Sequence, residues 1–486
     1  MSPIARTTLA PGLEISRVVT GLWQIADMER DGKVLDLDAA ARAMTPYLDA
    51  GFTSFDMADH YGSAEIIAGK CRALGDPDRL QLFTKWVPKP GPVTAAEVRA
   101  AVERSLTRLG TESLDLLQFH AWNYADPSWL DALFHLQDLK HEGLIRHLGL
   151  TNVDAAHLRL VLASGIEVVS NQVSCSLIDR RAAGRLAAVC AEYGVGLLAY
   201  GTVCGGWLSE KWLGRDEPDW QRDGTWSQMK YARFIREAGG WPALQRVLRA
   251  AHAVAARHGV SLTNVATRFI MEQPGVAAVI VGARLGERAH IADNARLCAF
   301  ELTAADRAEL AAAIATLAPI PGDCGDEYRK PPFLTASGDL SHHLDALPPP
   351  YEVRPGPHGT RRSFSGTSWE PMAGYARAVR AGSRISVSGT TATHGSRLLG
   401  GADPAAQTHA VIDKIEGALQ SLGGRLDHVV RTRVFVSHLE HWEAVARAHG
   451  ERFGGIQPAN TLVEARLVGP EYLVEIEADA ELDETP

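Results

Sequence analysis

The sequence predicts an α/β chain: a (β/α)8 TIM barrel followed by a smaller α+β unit. Three observations point there. Eight short apolar runs between residues 18 and 282 alternate with stretches of helical period, the pattern of a parallel sheet with crossover helices. The segment that holds them runs to about residue 317, a span within the usual range of such barrels. A proline-rich stretch then separates it from a C-terminal region with its own strand alternation.

The expected barrel strands are 18–22, 53–56, 80–85, 114–120, 145–151, 168–172, 195–200 and 277–282. Between the third and fourth, Thr94 with Glu97 three residues on makes a capping box. Val98, Ala101, Val102, Leu106 and Leu109 form one helical face, and Gly110 can take the left-handed stop. A later helix carries Leu244, Val247, Leu248, Ala251, Val254 and Ala255, closed by Gly259. Ser261 then caps a helix with Val265, Ala266, Phe269 and Ile270 on its inner side. Pro331-Pro332, Pro348-Pro349-Pro350 and Pro355-Gly356-Pro357 cannot continue a helix or a central strand, so the expected division is 1–330 barrel, 331–362 tail and linker, and 363–486 second unit. In that unit 384–390, 429–437, 461–467 and 473–480 alternate as strands, and Asp403-Pro404 opens a helix with Val411, Ile412, Ile415, Leu419 and Leu422 inward.

Composition narrows the function. A hydrophobic share of 46% with 22% charged residues is ordinary for a globular protein, and no apolar run is long enough to span a bilayer. The N-terminus, Met1-Ser2-Pro3-Ile4-Ala5-Arg6, has no apolar stretch of a secretory signal behind it. A net charge of -9 argues against nucleic acid or an anionic membrane as partner. Six cysteines without a C-x-x-C pair predict a reducing, cytoplasmic setting, and all six precede residue 325.

Barrel active sites lie at the C-terminal ends of the strands. Those ends hold Asp56, Lys85 and His120, with Tyr61 on the loop after the second strand. Together they can transfer a proton: a tyrosine is a poor acid at neutral pH until a neighbouring ammonium lowers its pKa. Lys85 would supply that charge, Asp56 would hold Lys85, and His120 would donate to a carbonyl oxygen on which charge develops. Singly, each has a plainer role as a turn cap, rim charge or packed ring; the four in this order favour chemistry.

The stretch Gly51-Phe52-Thr53-Ser54-Phe55-Asp56-Met57-Ala58-Asp59-His60-Tyr61-Gly62-Ser63-Ala64-Glu65 resembles the signature of the aldo-keto reductase superfamily, and Asp56, Tyr61, Lys85 and His120 resemble its tetrad. The resemblance implies Tyr61 as general acid and a nicotinamide hydride donor. Gly149-Leu150-Thr151-Asn152 resembles the family's Gly-x-Ser-Asn, so Thr151, Asn152 and Gln172 are expected at the carboxamide and Tyr200 against the nicotinamide ring, with packing as the plainer role of Tyr200. Gly201 and Thr202 would begin a loop around the phosphates. Gly282, Arg284 and Asn294 resemble the last cofactor segment, where an arginine meets the adenosine 2′-phosphate; hence NADP(H) is expected ahead of NAD(H). Two extra residues before Asn294 leave Arg288 as either a second phosphate ligand or a solvated charge. Trp23, Trp86, Trp122 and the tail 322–329 would build the substrate pocket. Neither Gly69-Lys70, which lacks the rest of a phosphate loop, nor His342-His343 reads as a site, and no metal is expected.

The region 365–482 resembles the Rid (YjgF, reactive-intermediate deaminase) family, with its chorismate mutase-like fold. The matching pieces are Gly374-Tyr375-Ala376-Arg377, Ser388-Gly389-Thr390, Val430-Arg431-Thr432-Arg433, Pro458-Ala459-Asn460-Thr461 and Val474-Glu475-Ile476-Glu477. The resemblance implies a homotrimer with a cleft holding Tyr375, Asn460 and Glu475. Where imine-hydrolysing members carry an arginine, this chain has Asn460, which cannot form a charge-assisted pair with a carboxylate. Glu475 stands at the water-activating position or is a solvated strand residue. The expected function is an NADPH-dependent reductase of a small aldehyde or ketone, or the reverse oxidation of an alcohol. The alternatives are a non-catalytic nicotinamide-sensing scaffold, or imine hydrolysis coupled to carbonyl reduction.

Overall fold

The computed structural model describes residues 3–287, 289–330 and 340–483. Eight parallel strands close into a barrel in chain order: β1 Val18–Gly21, β2 Ser54–Asp56, β3 Gln81–Trp86, β4 Leu114–Phe119, β5 Ile145–Thr151, β6 Val168–Ser174, β7 Gly196–Tyr200 and β8 Val276–Gly282, with β8 pairing back onto β1. All eight expected strands are present, with ends shifted by at most two residues. The helix α1 (Ala95–Leu109) has the capping box at Thr94, buries the predicted face, and ends at Gly110 with φ 62.

The barrel's lower end is closed by a hairpin, Arg6–Ala10 with Leu13–Ser16, which the sequence pattern did not reveal. Leu9, Leu13 and Ile15 pack against Val19, Phe83, Leu116, Leu198 and Ile280 from the barrel interior. Burying each such side chain stabilises the fold by about 1.5–3 kcal/mol relative to exposure, so Ile15→Asp would open this end. The other end is left for chemistry.

On the outer ring, α2 (Ser128–His141), α3 (Ala155–Ala163) and α4 (Arg185–Tyr193) follow β4, β5 and β6. After β7 comes an inserted helix, α5 (Trp226–Glu237), then α6 (Gly240–His258) and α7 (Leu262–Met271). The chain returns across the top of the barrel as the short α8 (Asp326–Arg329).

The second unit is a seven-stranded sheet ordered β9-β10-β11-β12-β15-β13-β14: β9 Glu352–Pro355, β10 Arg361–Phe364, β11 Ala378–Ala381, β12 Arg384–Thr391, β13 Val429–Val436, β14 Ala459–Glu464 and β15 Val474–Glu481. Neighbours are antiparallel except β13 and β14, and α9 (Pro404–Ser421) and α10 (Trp442–Phe453) complete the unit. This corrects the expected boundary: the sheet begins at Glu352, inside the stretch assigned to tail and linker, because β9 and β10 pair across the Pro355-Gly356-Pro357 turn. Along β15, Val474, Ile476, Ala478 and Ala480 are buried while Glu475, Glu477 and Asp479 keep partial exposure, the alternation of a sheet with one covered face.

α9 is buried nearly all round, polar residues included. It lies between its own sheet and the barrel, where it meets α3. Across that junction His157 meets Asp413 at 3.1 Å, Arg159 meets Asp403 at 2.7 Å, and the amide of Gly400 donates to Ser164 Oγ at 2.9 Å. Gly417 is required there, since a Cβ would lie 2.4 Å from the Ala125 carbonyl oxygen.

Candidate active site

The site assembles where the barrel strands end. Asp56 closes β2, and its Oδ2 accepts from Lys85 Nζ at 2.6 Å; Lys85 also donates to the Met57 carbonyl at 2.8 Å. The other carboxylate oxygen accepts from Gln118 at 3.0 Å and Gln172 at 2.7 Å. Burial lowers the Lys85 pKa, and Asp56 opposes this only in part. Its ammonium lies 4.9 Å from the centre of the Tyr61 ring. Asp56 and Lys85 thus form a buried carboxylate–ammonium pair beside the partly buried ring of Tyr61.

His120 follows β4 and is buried, with Nε2 lacking a hydrogen-bond partner. Burial, then the positive charges of Arg329 and His60, hold its pKa well below the ordinary histidine value. A neutral imidazole donates a hydrogen bond to an oxygen without bringing a competing charge.

All four line one cavity of about 700 Å³. Thr151, Asn152, Gln172, Tyr200, Gly201 and Thr202 line it as well, and so do Gly282, Arg284 and Asn294 at the other end. Asn152 sits at φ 59 and accepts from the Tyr200 hydroxyl at 2.7 Å, which fixes the ring. The Gln172 amide donates to Asp56 and Gln118. Arg284 is bonded to Asp27 and lies 3.3 Å from Glu287, so a phosphate would share this guanidinium with carboxylates. Arg288 lies outside the described residues.

Trp23 and Trp122 line the cavity, but Trp86 does not. It follows Lys85 on β3, so the strand's alternation sends it to the outer face, where it packs on Phe119 at 5.7 Å between ring centres. Tyr328 of α8 completes the wall, as expected of the tail. Arg329 anchors α8 by donating to the carbonyls of Ala121 at 2.8 Å and Asn152 at 2.5 Å, and Gly325 (φ +85) allows the approach, since a Cβ there would lie 2.0 Å from the Asn152 oxygen. His343 packs its ring against Trp122 at 5.5 Å. Sequence reasoning missed Gln118, although the two-residue spacing to His120 on a strand gave the signal. It also missed Lys230, on an inserted helix with no strand end to mark it.

In the second unit, Tyr375 accepts from Arg377 at 3.0 Å. Asn460, on edge strand β14, donates to Thr432, whose hydroxyl also meets His449 of α10. Glu475 lies on the partly exposed face beside Gly389, where burial and then Glu477 raise its pKa. Among the described residues no hydrogen bond joins Tyr375, Asn460 and Glu475 to one another.

A barrel with these strand-end residues fits a class, the oxidoreductases that act on carbonyl groups. The model described as the aldo/keto reductase family matches residues 17–315. This chain belongs to that family, and residues 366–482 match the endoribonuclease L-PSP model, that of the Rid proteins. D-threo-aldose 1-dehydrogenase of Pseudomonas sp is 26% identical over 345 residues, 64% of this chain and 98% of that protein. The glycerol dehydrogenase AKR11B4 of Gluconobacter oxydans superposes with a TM-score of 0.54 at 22% identity, covering 66% of this chain and 98% of that one, a likeness of fold. The C-terminal unit is 40% identical over 121 residues to uncharacterized protein SCO2049 of Streptomyces coelicolor, 25% of this chain and 90% of the relative. The chain spans 57% and 58% of the length of two further relatives, flagellar radial spoke protein 5 of Chlamydomonas reinhardtii and Protein tas of Escherichia coli. Among the described residues no helix is long and apolar enough to cross a membrane.

Proposed function

We propose that the chain reduces a small aldehyde or ketone with NADPH, or oxidises the corresponding alcohol with NADP, and that Tyr61 moves the proton. The observation that carries this reading is the Asp56–Lys85 pair at 2.6 Å beside the Tyr61 ring, in the same cavity as His120. Lys85 favours the phenolate and so makes Tyr61 a better acid. His120 orients the carbonyl oxygen and stabilises the charge that develops there. A pure sensor would not need a phenol tuned in this way.

The long cavity suits a dinucleotide: the Tyr200 ring and Asn152 at one end fit a nicotinamide, the glycines after β7 leave room for phosphates, and Arg284 with Asn294 fits an adenosine 2′-phosphate. Bound there, the nicotinamide supplies or accepts the hydride. Thr151, Gly201, Thr202 and Gly282 would shape this groove.

The test is NADPH oxidation with a reactive aromatic aldehyde. Tyr61→Phe should remove at least about 99% of turnover, the lower end of the roughly 100- to 10,000-fold contribution of a general acid, while NADPH still quenches tryptophan fluorescence. Unchanged turnover would sink the mechanism.

The C-terminal unit acts as a trimerising scaffold in this reading. Its helix α9 is covered by the barrel, which leaves the partly exposed sheet face with Arg433, Phe435 and Glu477 for self-association. Asn460 speaks against amino-acid imine hydrolysis.

A further inference from the structure

Lys230 is a buried cation whose role the proton-transfer set does not use. It lies on α5, which starts at the Thr225–Gln228 capping box and buries Tyr231, Phe234 and Ile235. Its side chain is turned into the cavity, and the residue is only 7% exposed. The ammonium donates to the Tyr328 hydroxyl. It lies 4.6 Å from the Tyr328 ring centre, 4.9 Å from that of Tyr200 and 5.6 Å from that of Tyr231.

Among the described residues no carboxylate lies within ion-pair distance of Lys230. The other buried cations nearby are matched: Lys85 by Asp56, and Arg181 by Asp179 and Glu327. Aromatic faces attract a cation, but they recover only part of its lost hydration. A cation held dry on a ligand cavity is therefore completed by an anion from the ligand. Its place says which part of the ligand: the Tyr328 ring that Lys230 touches stands 5.4 Å from the His120 ring, whose Nε2 is the group without a partner. The site for the carbonyl oxygen and the cation are thus one tyrosine apart.

We propose that Lys230, with the Tyr328 hydroxyl, is a subsite for an anionic oxygen group, so that the preferred substrates are aldehydes or ketones bearing a carboxylate or phosphate a few bonds from the carbonyl. This deepens the carbonyl reductase reading and rests on it. The same ammonium could be met by a phosphate of the dinucleotide, and the experiment separates the two sources.

The experiment compares kcat/KM for para-carboxybenzaldehyde and para-nitrobenzaldehyde in the wild type, Lys230→Met, Lys230→Arg and Tyr328→Phe, with the NADPH Kd measured for each. The ratio of charged to neutral substrate should fall about 10–100-fold in Lys230→Met, the loss expected for a charge-assisted contact, be largely restored in Lys230→Arg, and fall less in Tyr328→Phe. An unchanged ratio overturns the proposal. An NADPH Kd weakened by the same factor with no change in ratio also overturns it, assigning Lys230 to the cofactor. If the wild type reduces neither aldehyde, the reductase reading fails on its own account, and binding of benzoate against benzamide decides the subsite: benzoate affinity lost selectively in Lys230→Met supports it, and equal affinities in wild type and variant refute it.

Discussion

Replacing Asp413 by asparagine tests whether the two units behave as one body. Asp413 sits on α9 of the C-terminal unit, buried, with Arg452 at 2.6 Å and the barrel's His157 at 3.1 Å. His157 is held on its other side by Asp154 at 2.7 Å. Burial alone would lower the His157 pKa, but Asp154 and Asp413 together outweigh it and raise it. Burial likewise works against Asp413, yet His157 and Arg452 bring it below the usual carboxylate range. Removing one partner of a buried pair costs about 3–5 kcal/mol, and asparagine keeps a polar contact while Arg452 keeps Glu416, so about 2–3 kcal/mol is expected here. The sign with pH follows from the two shifts. A raised histidine stabilises fully below its ordinary pKa of about 6.5 and loses that contribution as pH rises through the folded value. The lowered Asp413 contributes above about pH 4 and is lost as pH falls through its folded value. The docked form is therefore most stable between these limits. Urea unfolding of the full chain, followed by tryptophan fluorescence between pH 6 and 9, should show Asp413→Asn less stable at neutral pH, with the gap to wild type narrowing on the alkaline side. A gap of less than about 0.5 kcal/mol at pH 7, the size of a surface change, would refute this account of the junction.

Two further outcomes concern cofactor and assembly. Arg284→Ala should weaken NADPH by about tenfold and NADH much less in a fluorescence titration, a modest factor because Asp27 already occupies the guanidinium; equal losses would mean that Arg284 only supports its loop. Light scattering of the full chain should give about three times the 52.4 kDa of one copy, and a monomer would remove the scaffold role.

The barrel was legible because its elements follow local rules. Strand runs and crossover caps, such as Thr94 with Glu97, are written within a few residues of each other, and a closed parallel sheet is the arrangement that buries them all. Asp56, Lys85 and His120 were legible because they sit at strand ends, and with Tyr61 of the following loop they line one cavity. What escaped depends on distant partners. The N-terminal hairpin reads as two weak strands until the open barrel end that it plugs is present. Trp86 fits an aromatic pocket by composition, and only the strand's alternation next to Lys85 turns it outward. Lys230 lies on an inserted helix whose placement is a tertiary fact, and β9 hides in a stretch whose prolines mark it as linker. The burial of Asp413 on α9 was not legible either, because its barrel partner His157 lies 256 residues earlier in the chain.

That covered helix also shows how the second unit bears on the first. Asn152 fixes Tyr200 through its side chain and holds Arg329 through its carbonyl. Two residues on, Asp154 caps α3 and grips His157, which reaches Asp413 across the junction. The His157 ring stacks on Tyr124 at 3.5 Å between centres, and Arg329 also lies over that tyrosine, 4.3 Å from its centre. The segment 152–157 after β5 therefore serves the candidate cavity, the anchor of α8 and the domain junction. Displacing α9 would take Asp413 from His157 and open the Asp154–His157 pair to water, a change of surroundings that favours rearrangement of this segment. Any such rearrangement moves the Asn152 carbonyl that fixes Arg329, and with it the Tyr328 wall of the pocket. Contacts thus run from the C-terminal unit to the wall of the candidate active site through one continuous segment.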